Sequence, residues 1–282
     1  MNEYFSWRKM KNRDIPAVET LLRSVEDGYV SACGRFLIRD PSMDPVWMLR
    51  GKNGELAGLL INSRSTLIPV LNGRKEIPMP KFLRLFFLWK KVHSVQGFSK
   101  EVQLIEDVME KMGKEIKDIF DFDLMSLNKL PSVSGFLSGP SNLVLRVPRL
   151  TDLDEIALLQ AAYEQEEVIP NGSVFSPAAS RINIAKIISG AQILAAELNG
   201  RLVGKINVNA VSFSKYQVGG VYVHPDFRGL GIARRMAAEF VTSLISQGRG
   251  VTLYVKKTNL AACRLYAGLG FTVKGNYRIT YY

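Results

Sequence analysis

The chain has 282 residues, of which 47% are aliphatic or aromatic and 22% are charged, and its net charge is +11. The length exceeds that of a usual single domain and the composition is ordinary for a globular protein with a core, so we expect two domains. The positive charge is spread along the chain without a polybasic block. It favours an anionic ligand or partner and does not by itself establish nucleic-acid binding.

The two cysteines, Cys33 and Cys263, lie far apart and form neither a metal-ligand pattern nor a disulfide framework. We therefore expect no metal and a reducing, cytoplasmic location. Residues 1–30 show no apolar segment with a cleavage site, so no signal peptide is expected. The densest apolar stretch, FLRLFFLW at 82–89, is too short to span a bilayer. It predicts a buried strand or helix with solvated ends, and an interfacial membrane helix is the alternative.

The first predicted elements occur twice along the chain. Residues 8–22 (RKMKNRDIPAVETLL) and 146–160 (RVPRLTDLDEIALLQ) align without gaps at an offset of 138. The aligned pairs include Arg8 with Arg146 and Asp14 with Asp152. Each segment predicts a short strand, an Asp N-cap and an amphipathic helix with apolar residues three or four apart.

A second pair of segments carries Asn-Gly between alternating apolar residues, at 53–62 (NGELAGLLIN) and 199–208 (NGRLVGKINV). Asn-Gly is a strong hairpin signal because a type I′ turn needs two positive φ angles. The two halves thus look like two copies of one fold. The segment SGFLSGPSN at 134–142, rich in Gly, Ser and Pro, predicts a boundary that divides the chain into domains 1–138 and 139–282.

The third comparison breaks this symmetry. Residues 91–113 predict a strand followed by a helix, where the second half has 219–248, GGVYVHPDFRGLGIARRMAAEFVTSLISQG. The first half lacks the Arg-Gly-x-Gly turn. Whatever that turn binds, we expect only the second half to bind it.

The turn at 228–231 opens a predicted helix. The apolar face of that helix consists of Ile232, Ala233, Met236, Ala237, Phe240, Val241, Leu244 and Ile245. The first amides of a helix have no internal partners and the helix dipole is positive there, so the site attracts anions. Gly229 and Gly231 lack a Cβ and let a phosphate approach the backbone, and Arg228, with Arg234 or Arg235, adds charge. Neither a Rossmann nor a Walker pattern is present.

The second half resembles the GNAT superfamily of acyl-CoA-dependent N-acetyltransferases over about residues 143–282. The family's acetyl-CoA motif, Val-x-Pro-x-x-Arg/Gln-x-x-Gly-x-Gly/Ala, is matched by Val223, Pro225, Arg228, Gly231 and Ala233. A second motif follows at the family's spacing. It comprises strand VTLYV at 251–255, Asn259, and the Tyr-x-x-x-Gly-Phe of Tyr266, Gly270 and Phe271.

The resemblance implies an α/β (α+β) fold with two GNAT-like domains in tandem, each a mixed, largely antiparallel twisted sheet flanked by helices. The first would be a degenerate copy without the acetyl-CoA loop. In the second, backbone groups of residues 221–223 would pair with the pantetheine arm, amides of 229–234 would hold the pyrophosphate, and Asn259 would bind the pantetheine or the backbone beside it. The residues implied to bind acetyl-CoA are Val221, Tyr222, Val223, Arg228, Gly229, Leu230, Gly231, Ile232, Ala233, Arg234 and Asn259.

The chemistry of amide formation from a thioester assigns roles to further side chains. Tyr266, implied to lie beside the sulfur, suits protonation of the leaving thiolate because a phenol stays protonated at neutral pH. The strand QVGGVYV carries no carboxylate to act as base. The acidic cluster YEQEEVIPNG at 163–172 is the next source, in which Glu164, Glu166 or Glu167 would act as base or anchor a cationic acceptor, and a solvated helix end is the alternative. Of the three we select Glu167 as the catalytic residue. Glu197 is a further candidate, whereas His224, before Pro225, is expected to serve the turn.

The leading hypothesis is an N-acetyltransferase that transfers an acetyl group from acetyl-CoA to a primary amine by direct attack in a ternary complex. One alternative is a non-catalytic regulatory protein that binds acyl-CoA. Another is an RNA- or DNA-associated protein that uses the net positive charge, one form of which is an acetyltransferase with a nucleic-acid-bound substrate; no recognition motif is present for it. The expected partner is a small-molecule or peptide amine, with no membrane span and with a homodimer as one possible assembly.

Overall fold

The structure is a computed structural model that describes residues 5–40, 45–74, 76–78, 84, 92–130, 133 and 135–282. The contacts divide the chain into two compact units. The first comprises residues 1–124, Tyr254–Thr258 and Val273–Tyr282, and the second comprises Met125–Leu253 and Asn259–Thr272. The domain boundary at residue 138 stays a prediction, and the predicted apolar element at 82–89 lies outside the described residues apart from Arg84.

Among its described residues, the first unit contains three helices, five complete strands and the larger parts of two more. The helices are α1 (Ile15–Ser24), α2 (Glu26–Leu37, kinked at Tyr29) and α3 (Ser99–Lys111). The complete strands are β1 (Ser6–Lys9), β2 (Val46–Arg50), β3 (Leu56–Ser63), β4 (Thr66–Val70) and β5 (Ser94–Phe98), and the other two are β6 (Asp118–Leu127) and β12 (Thr272–Tyr281). Strands β1 to β5 follow one another in the sheet, and β12 pairs with β5. All the pairs from β1 to β4 are antiparallel, and β4 pairs with β5 in parallel.

The described elements of the second unit follow the order of those of the first, with one helix in addition. Its strands are β7 (Leu143–Arg146), β8 (Ile193–Leu198), β9 (Arg201–Val211), β10 (Lys215–Val223) and the first part of β11 (Gly250–Lys256). Its helices are α4 (Leu153–Tyr163), α5 (Pro177–Ser189), α6 (Ile232–Ile245) and α7 (Leu260–Gly268). The additional helix is α6, between β10 and β11. Antiparallel pairs join β7 to β10 in sequence, and β10 pairs with β11 in parallel. Each unit is thus a mixed, largely antiparallel sheet with helices, as predicted.

The repeated Arg and Asp residues explain the similarity of residues 8–22 and 146–160. Arg8 lies 2.7 Å from Asp14, and Asp14 also accepts the backbone N–H of Lys11 at 2.9 Å. The second unit repeats both contacts, at 2.7 Å from Arg146 to Asp152 and at 2.6 Å from the Arg149 N–H. Both aspartates stand at the N-cap position of their helix, but neither side chain accepts a helix amide. The predicted N-cap positions are therefore confirmed, but the carboxylates do not cap: each ties the helix to the preceding strand instead.

The two predicted Asn-Gly turns differ. Asn199 (φ +53°) and Gly200 (φ +76°) form the predicted two-residue turn between β8 and β9. Of the first unit's Asn53-Gly54 pair, Gly54 has a positive φ and Asn53 does not, and residues 51–55 form a longer loop between β2 and β3, so the type I′ prediction there is wrong. Glu55 explains the difference, because the backbone N–H of Gly51 bonds to its carbonyl and closes a wider loop.

The segment at 91–113, predicted as a strand and a helix, does not correspond to residues 219–248 of the second unit. It corresponds to β11 and the helix that follows, α7. It forms β5 and α3, and β5 pairs in parallel with β4 just as β11 pairs in parallel with β10. Strand β5 is therefore the counterpart of β11, whereas residues 219–248 comprise the end of β10, its loop and α6, all of which precede β11. The comparison with 219–248 was therefore displaced by one strand.

Apolar side chains from the sheet and helices fill the interior of each unit. Trp7, Leu60 and Ile105 belong to the core of the first unit, and Ile156, Ile184 and Tyr222 to that of the second. Within the described part of the chain, no helix is both long and apolar enough to cross a membrane.

Candidate active site

Strand β10 has an open edge in its second half. Its parallel pairing with β11 begins at Lys215 opposite Gly250 and ends at Val218 opposite Leu253. Residues 219–223 lie beyond the last pair, so their backbone groups on that side are available to an added strand or an extended ligand. The predicted pantetheine-binding residues 221–223 lie on this edge.

The strand leads into the predicted anion-binding loop. A short 3-10 turn, Pro225–Phe227, follows β10, and the side chain of His224 accepts the Asp226 N–H, so the prediction that His224 serves the turn is confirmed. Gly229 (φ +80°) and Gly231 (φ +79°) both adopt the left-handed conformation that side chains disfavour, and Gly231 is the N-cap of α6. The glycines therefore have a backbone role, and the first amides of α6 follow directly.

The three arginines of the loop have different partners. Arg228 donates to the Val223 carbonyl at 3.0 Å and to Glu166 at 2.8 Å. Arg235 pairs with Glu239, one turn further along α6, at 2.9 Å. Arg234 is the arginine that lies beside the two glycines.

Residues from the predicted boundary segment lie against this loop. Arg234 donates to the Ser138 hydroxyl at 2.7 Å, and its guanidinium lies 5.9 Å from the centre of the Phe136 ring. An open depression of about 470 Å³ is lined by Ser138, Gly139, Gly229, Leu230, Gly231 and Arg234. A Cβ at Gly231 would lie 3.3 Å from the Ser138 carbonyl oxygen, so the loop and this segment are closely matched.

Local hydrogen bonds place Tyr266 on helix α7. Asn259 is the N-cap, and its side chain accepts the Ala262 N–H at 3.1 Å. At the other end Gly270 (φ +94°) donates to the Ala267 carbonyl and Phe271 donates to the Tyr266 carbonyl. These two bonds form a Schellman motif, which folds Phe271 back until its ring lies 5.7 Å from that of Tyr266. The spacing of the second motif is thus the spacing of a short, capped helix.

Tyr266 is buried beside the acidic end of α4. Burial raises the pKa of its phenol, and Tyr163 and Glu167 act in the same direction, so the hydroxyl stays protonated. Burial, together with Glu167 and Glu164, also raises the pKa of Tyr163 to about 12. A hydrogen bond from the backbone of Gly220 lowers this pKa but does not cancel the rise. The structure therefore brings the two predicted catalytic residues, Tyr266 and Glu167, into one electrostatic environment.

The other predicted bases form hydrogen bonds or ion pairs with neighbouring side chains. Glu164 accepts from Gln160 at 2.6 Å within a π-helical turn, Glu164–Val168, that continues α4. Glu166 is paired with Arg228. Glu197 lies 2.7 Å from Arg146 and extends the Arg146–Asp152 cluster, so it belongs to the framework of the unit and not to the loop.

Sequence reasoning missed Lys205, in the middle of β9. Its side chain is fully buried, and Nζ donates to Asn207 Oδ1 at 3.0 Å and to the Gly220 carbonyl at 2.8 Å. The Tyr163 ring centre lies 4.9 Å from Nζ. Burial lowers the pKa of this amine to about 7, against the attraction of Glu164. The available signal was a lysine inside the strand run RLVGKINV.

The corresponding place in the first unit is filled by the unit's own side chains. Parallel pairing of β4 with β5 ends at Leu67 opposite Val95. Just beyond, the Tyr29 hydroxyl lies 2.8 Å from the Pro69 carbonyl oxygen and 2.6 Å from Glu101. A ligand entering between these strands would have to displace a buried phenol that is hydrogen-bonded to a buried carboxylate.

The second unit thus has a mixed sheet that opens beside a glycine loop at a helix N-terminus. Residues 159–271 match the family model described as "Acetyltransferase (GNAT) family", so this part of the chain is similar to GNAT acetyltransferases. In the residues that the structure covers, no three His, Cys, Asp and Glu side chains are grouped as metal ligands would be.

Solved structures share this architecture over nearly the whole chain. A GCN5-related N-acetyltransferase from Sphaerobacter thermophilus is 21% identical over 98% of this chain and 94% of its own, with a TM-score of 0.64. A tandem GNAT protein from the clavulanic acid biosynthesis pathway is 15% identical over 98% of both chains, with a TM-score of 0.60. A GNAT-family acetyltransferase from Colwellia psychrerythraea is 14% identical over 98% of both, with a TM-score of 0.54. These likenesses show the tandem GNAT fold. No curated protein matches the sequence.

Proposed function

We propose that the protein is an N-acetyltransferase that moves an acetyl group from acetyl-CoA to a primary amine by direct attack in a ternary complex. One observation carries the proposal. The open edge of β10 leads straight into the loop of Gly229 and Gly231, and the protonated phenol of Tyr266 lies in the same unit next to acidic residues. A strand edge, an anion site and a proton donor are the three features that a pantetheine thioester needs.

The depression at the loop fits the donor. Its two left-handed glycines and the amides that open α6 suit a pyrophosphate, since orphan N–H groups and the helix dipole attract anions. Arg234 supplies a positive charge at the rim of the depression. Its guanidinium would give up the hydrogen bond to Ser138 in order to bind the pyrophosphate. The backbone of residues 221–223 would hold the pantetheine amides in the manner of an added strand. For Asn259, the cap uses Oδ1, so its Nδ2 is the donor that could meet the ligand.

The reaction requires one bond to form and one to break. The nitrogen of a neutral amine attacks the thioester carbonyl, the C–N bond forms, and the C–S bond breaks as the tetrahedral intermediate collapses. Glu167 would take the proton that the amine loses, directly or through a water molecule. Tyr266 would donate a proton to the departing thiolate and recover it from solvent.

The acidic end of α4 favours a cationic acceptor. Glu164 and Glu167 both raise the pKa of Tyr163, so their negative potential extends over the face of the site that Tyr163 occupies. An amine that arrives as an ammonium ion would be attracted there before it loses its proton. We therefore propose a small-molecule or peptide amine as acceptor, in a cytoplasmic protein.

Replacing Tyr266 by Phe tests the proposal. The change keeps the ring contact with Phe271 and removes the proton, so CoA release with an accepted amine should fall by about 10²–10⁴ while acetyl-CoA binding hardly changes. Tyr216→Phe is the matched control, because Tyr216 is also buried and its hydroxyl bonds to Gln247 at 2.8 Å near the start of β10. Its turnover should stay at the wild-type value.

Two results would contradict the proposal at different levels. Equal turnover in the Tyr266→Phe variant would remove Tyr266 from the chemistry. Tight acetyl-CoA binding with no turnover for any amine in a broad panel would favour the regulatory alternative over an enzyme.

A further inference from the structure

Strand β10 contains a bulge at the start of its open edge. Gly219 lies opposite Asn207 and Tyr222 lies opposite Lys205, so β10 has two residues, Gly220 and Val221, where β9 has one. Gly220 has a φ of +59°, the left-handed value typical of a glycine-dependent bulge. A bulge takes backbone groups out of the ladder, and a buried carbonyl that loses its ladder partner needs another donor.

Lys205 supplies that donor. Its Nζ donates to the Gly220 carbonyl at 2.8 Å and to Asn207 Oδ1 at 3.0 Å, and Asn207 in turn donates to Asn209 at 2.8 Å. These three side chains alternate along β9 and form one polar row. The row ends at the carbonyl that the bulge has released.

The two glycines of β10 are required by this row. A Cβ at Gly220 would lie 2.1 Å from Asn207 Oδ1 and 2.7 Å from Lys205 Nζ, and a Cβ at Gly219 would lie 2.1 Å from Asn209 Nδ2. Any side chain at either position would push the row away from the strand. The buried Lys205 and the two glycines therefore depend on one another: the glycines leave the space that the polar row occupies.

The surroundings suit an amine that need not be charged. A neutral amine has two N–H donors, which equals the number of acceptors that face Nζ, and an ammonium ion directs its third N–H towards Tyr163. Burial lowers the pKa of Lys205 to about 7, and Glu164 is the charged group that opposes the shift. The hydrogen bond from Lys205 to the Gly220 carbonyl thus persists whether the amine is charged or neutral.

We propose that Lys205 is a positioning residue of the acyl site: it holds the Gly220 bulge in the shape that directs the edge of residues 221–223 towards the bound thioester. This inference rests on the proposed function, because the thioester is what the edge would hold. It adds a residue on β9 that touches neither donor nor acceptor and acts through the backbone of β10.

The test replaces Lys205 by Met, which fills the same volume without a donor. Hydrogen–deuterium exchange of residues 218–223 in the free protein should become about tenfold faster, as expected for the loss of one hydrogen bond of this kind. Acetyl-CoA affinity should fall by about tenfold or more, and kcat at saturating acetyl-CoA should also fall. Lys215→Met is the matched control. Lys215 lies on β10 before the bulge and donates to Asn128 at 2.6 Å, so its loss should leave all three readouts unchanged.

The outcomes separate the inference from the proposed function. Wild-type exchange and wild-type acetyl-CoA affinity in a folded Lys205→Met protein would overturn the role of Lys205. Failure of the wild-type protein to bind acetyl-CoA would overturn the proposed function, and the exchange result would still decide whether Lys205 holds the bulge. If Lys205→Met does not fold, Gly220→Ala takes its place, because its Cβ displaces the amine from the other side. It should accelerate exchange in the same segment, and unchanged exchange would refute the inference.

Discussion

The burial of Lys205 makes the stability of the protein depend on pH in a specific direction. Burial lowers the pKa of the folded amine from 10.5 to about 7. Between these values the unfolded chain binds a proton that the folded chain releases, so stability rises as pH rises from about 7 towards 10. The sign is opposite to that of a lysine that gains a carboxylate partner on folding, whose contribution would decline at high pH.

The size of the effect follows from the two pKa values. Between pH 7 and pH 9 the free energy of unfolding should increase by about 2 kcal/mol from this one group. Lys205 is fully buried, so solvent screening does not reduce the contribution. Tyr163 and Glu164 are the titratable groups that act on it, and burial raises the pKa of Tyr163 to about 12, above this range.

Urea unfolding followed by circular dichroism at pH 7, 8 and 9 measures the effect. The wild-type protein should gain about 2 kcal/mol more than Lys205→Met over this range. Lys215→Met, which removes a half-exposed lysine from β10, should keep the wild-type dependence. Parallel pH dependences for wild type and Lys205→Met would refute the reasoning, because they would mean that the buried amine keeps its proton in the folded state.

Three further predictions concern the rest of the site and its framework. Gly231→Asp places a carboxylate and a strained φ at the loop, so acetyl-CoA affinity measured by calorimetry should fall at least tenfold in a protein that still folds; unchanged affinity would exclude the loop as the pyrophosphate site. Acetyl-CoA should protect residues 219–234 from hydrogen exchange and leave 94–111 unprotected, since Tyr29 fills the first unit's cleft; protection in both would show two sites. Asp152→Ala should lower stability by about 1–3 kcal/mol, and because Arg146 lowers the carboxyl pKa to about 2, the wild-type contribution should persist down to about pH 4 and be lost between pH 4 and 2. An acid-unfolding profile identical to that of the variant would contradict this role.

Local patterns predicted the elements that local forces form. Asn199-Gly200 specifies its turn because both residues tolerate positive φ, and the second motif specifies a short helix because Asn259 caps one end and Gly270 terminates the other. The Arg-Asp repeat was visible as a pattern, but its cause was not. An aspartate before a helix usually caps it, and only the position of the preceding strand reveals that Asp14 bonds to Arg8 instead.

Features that depend on strand pairing could not be predicted from the sequence. The comparison of 91–113 with 219–248 failed because a strand followed by a helix fits two places in this fold, and only the parallel pairing of β5 with β4 selects one. The membership of residues 273–282 in the first unit depends on β12 pairing with β5, a contact between residues 179 to 187 positions apart. No local propensity encodes such a choice.

Lys205 combines both kinds of information. A lysine in an apolar strand is normally assigned to the solvated face, and two adjacent glycines in a strand are normally interpreted as weak β-formers. Each interpretation is reasonable alone, and both are wrong here for one reason. The bulge shifts the register by one residue, so that the released carbonyl of Gly220 faces the amine. A buried lysine on one strand and a glycine pair on its neighbour are each costly, and together they satisfy one another. A buried lysine and a glycine pair on adjacent strands, next to a candidate acyl site, therefore indicate a β-bulge in the strand that carries the glycines. The same combination of residues can be sought in other sequences of this fold.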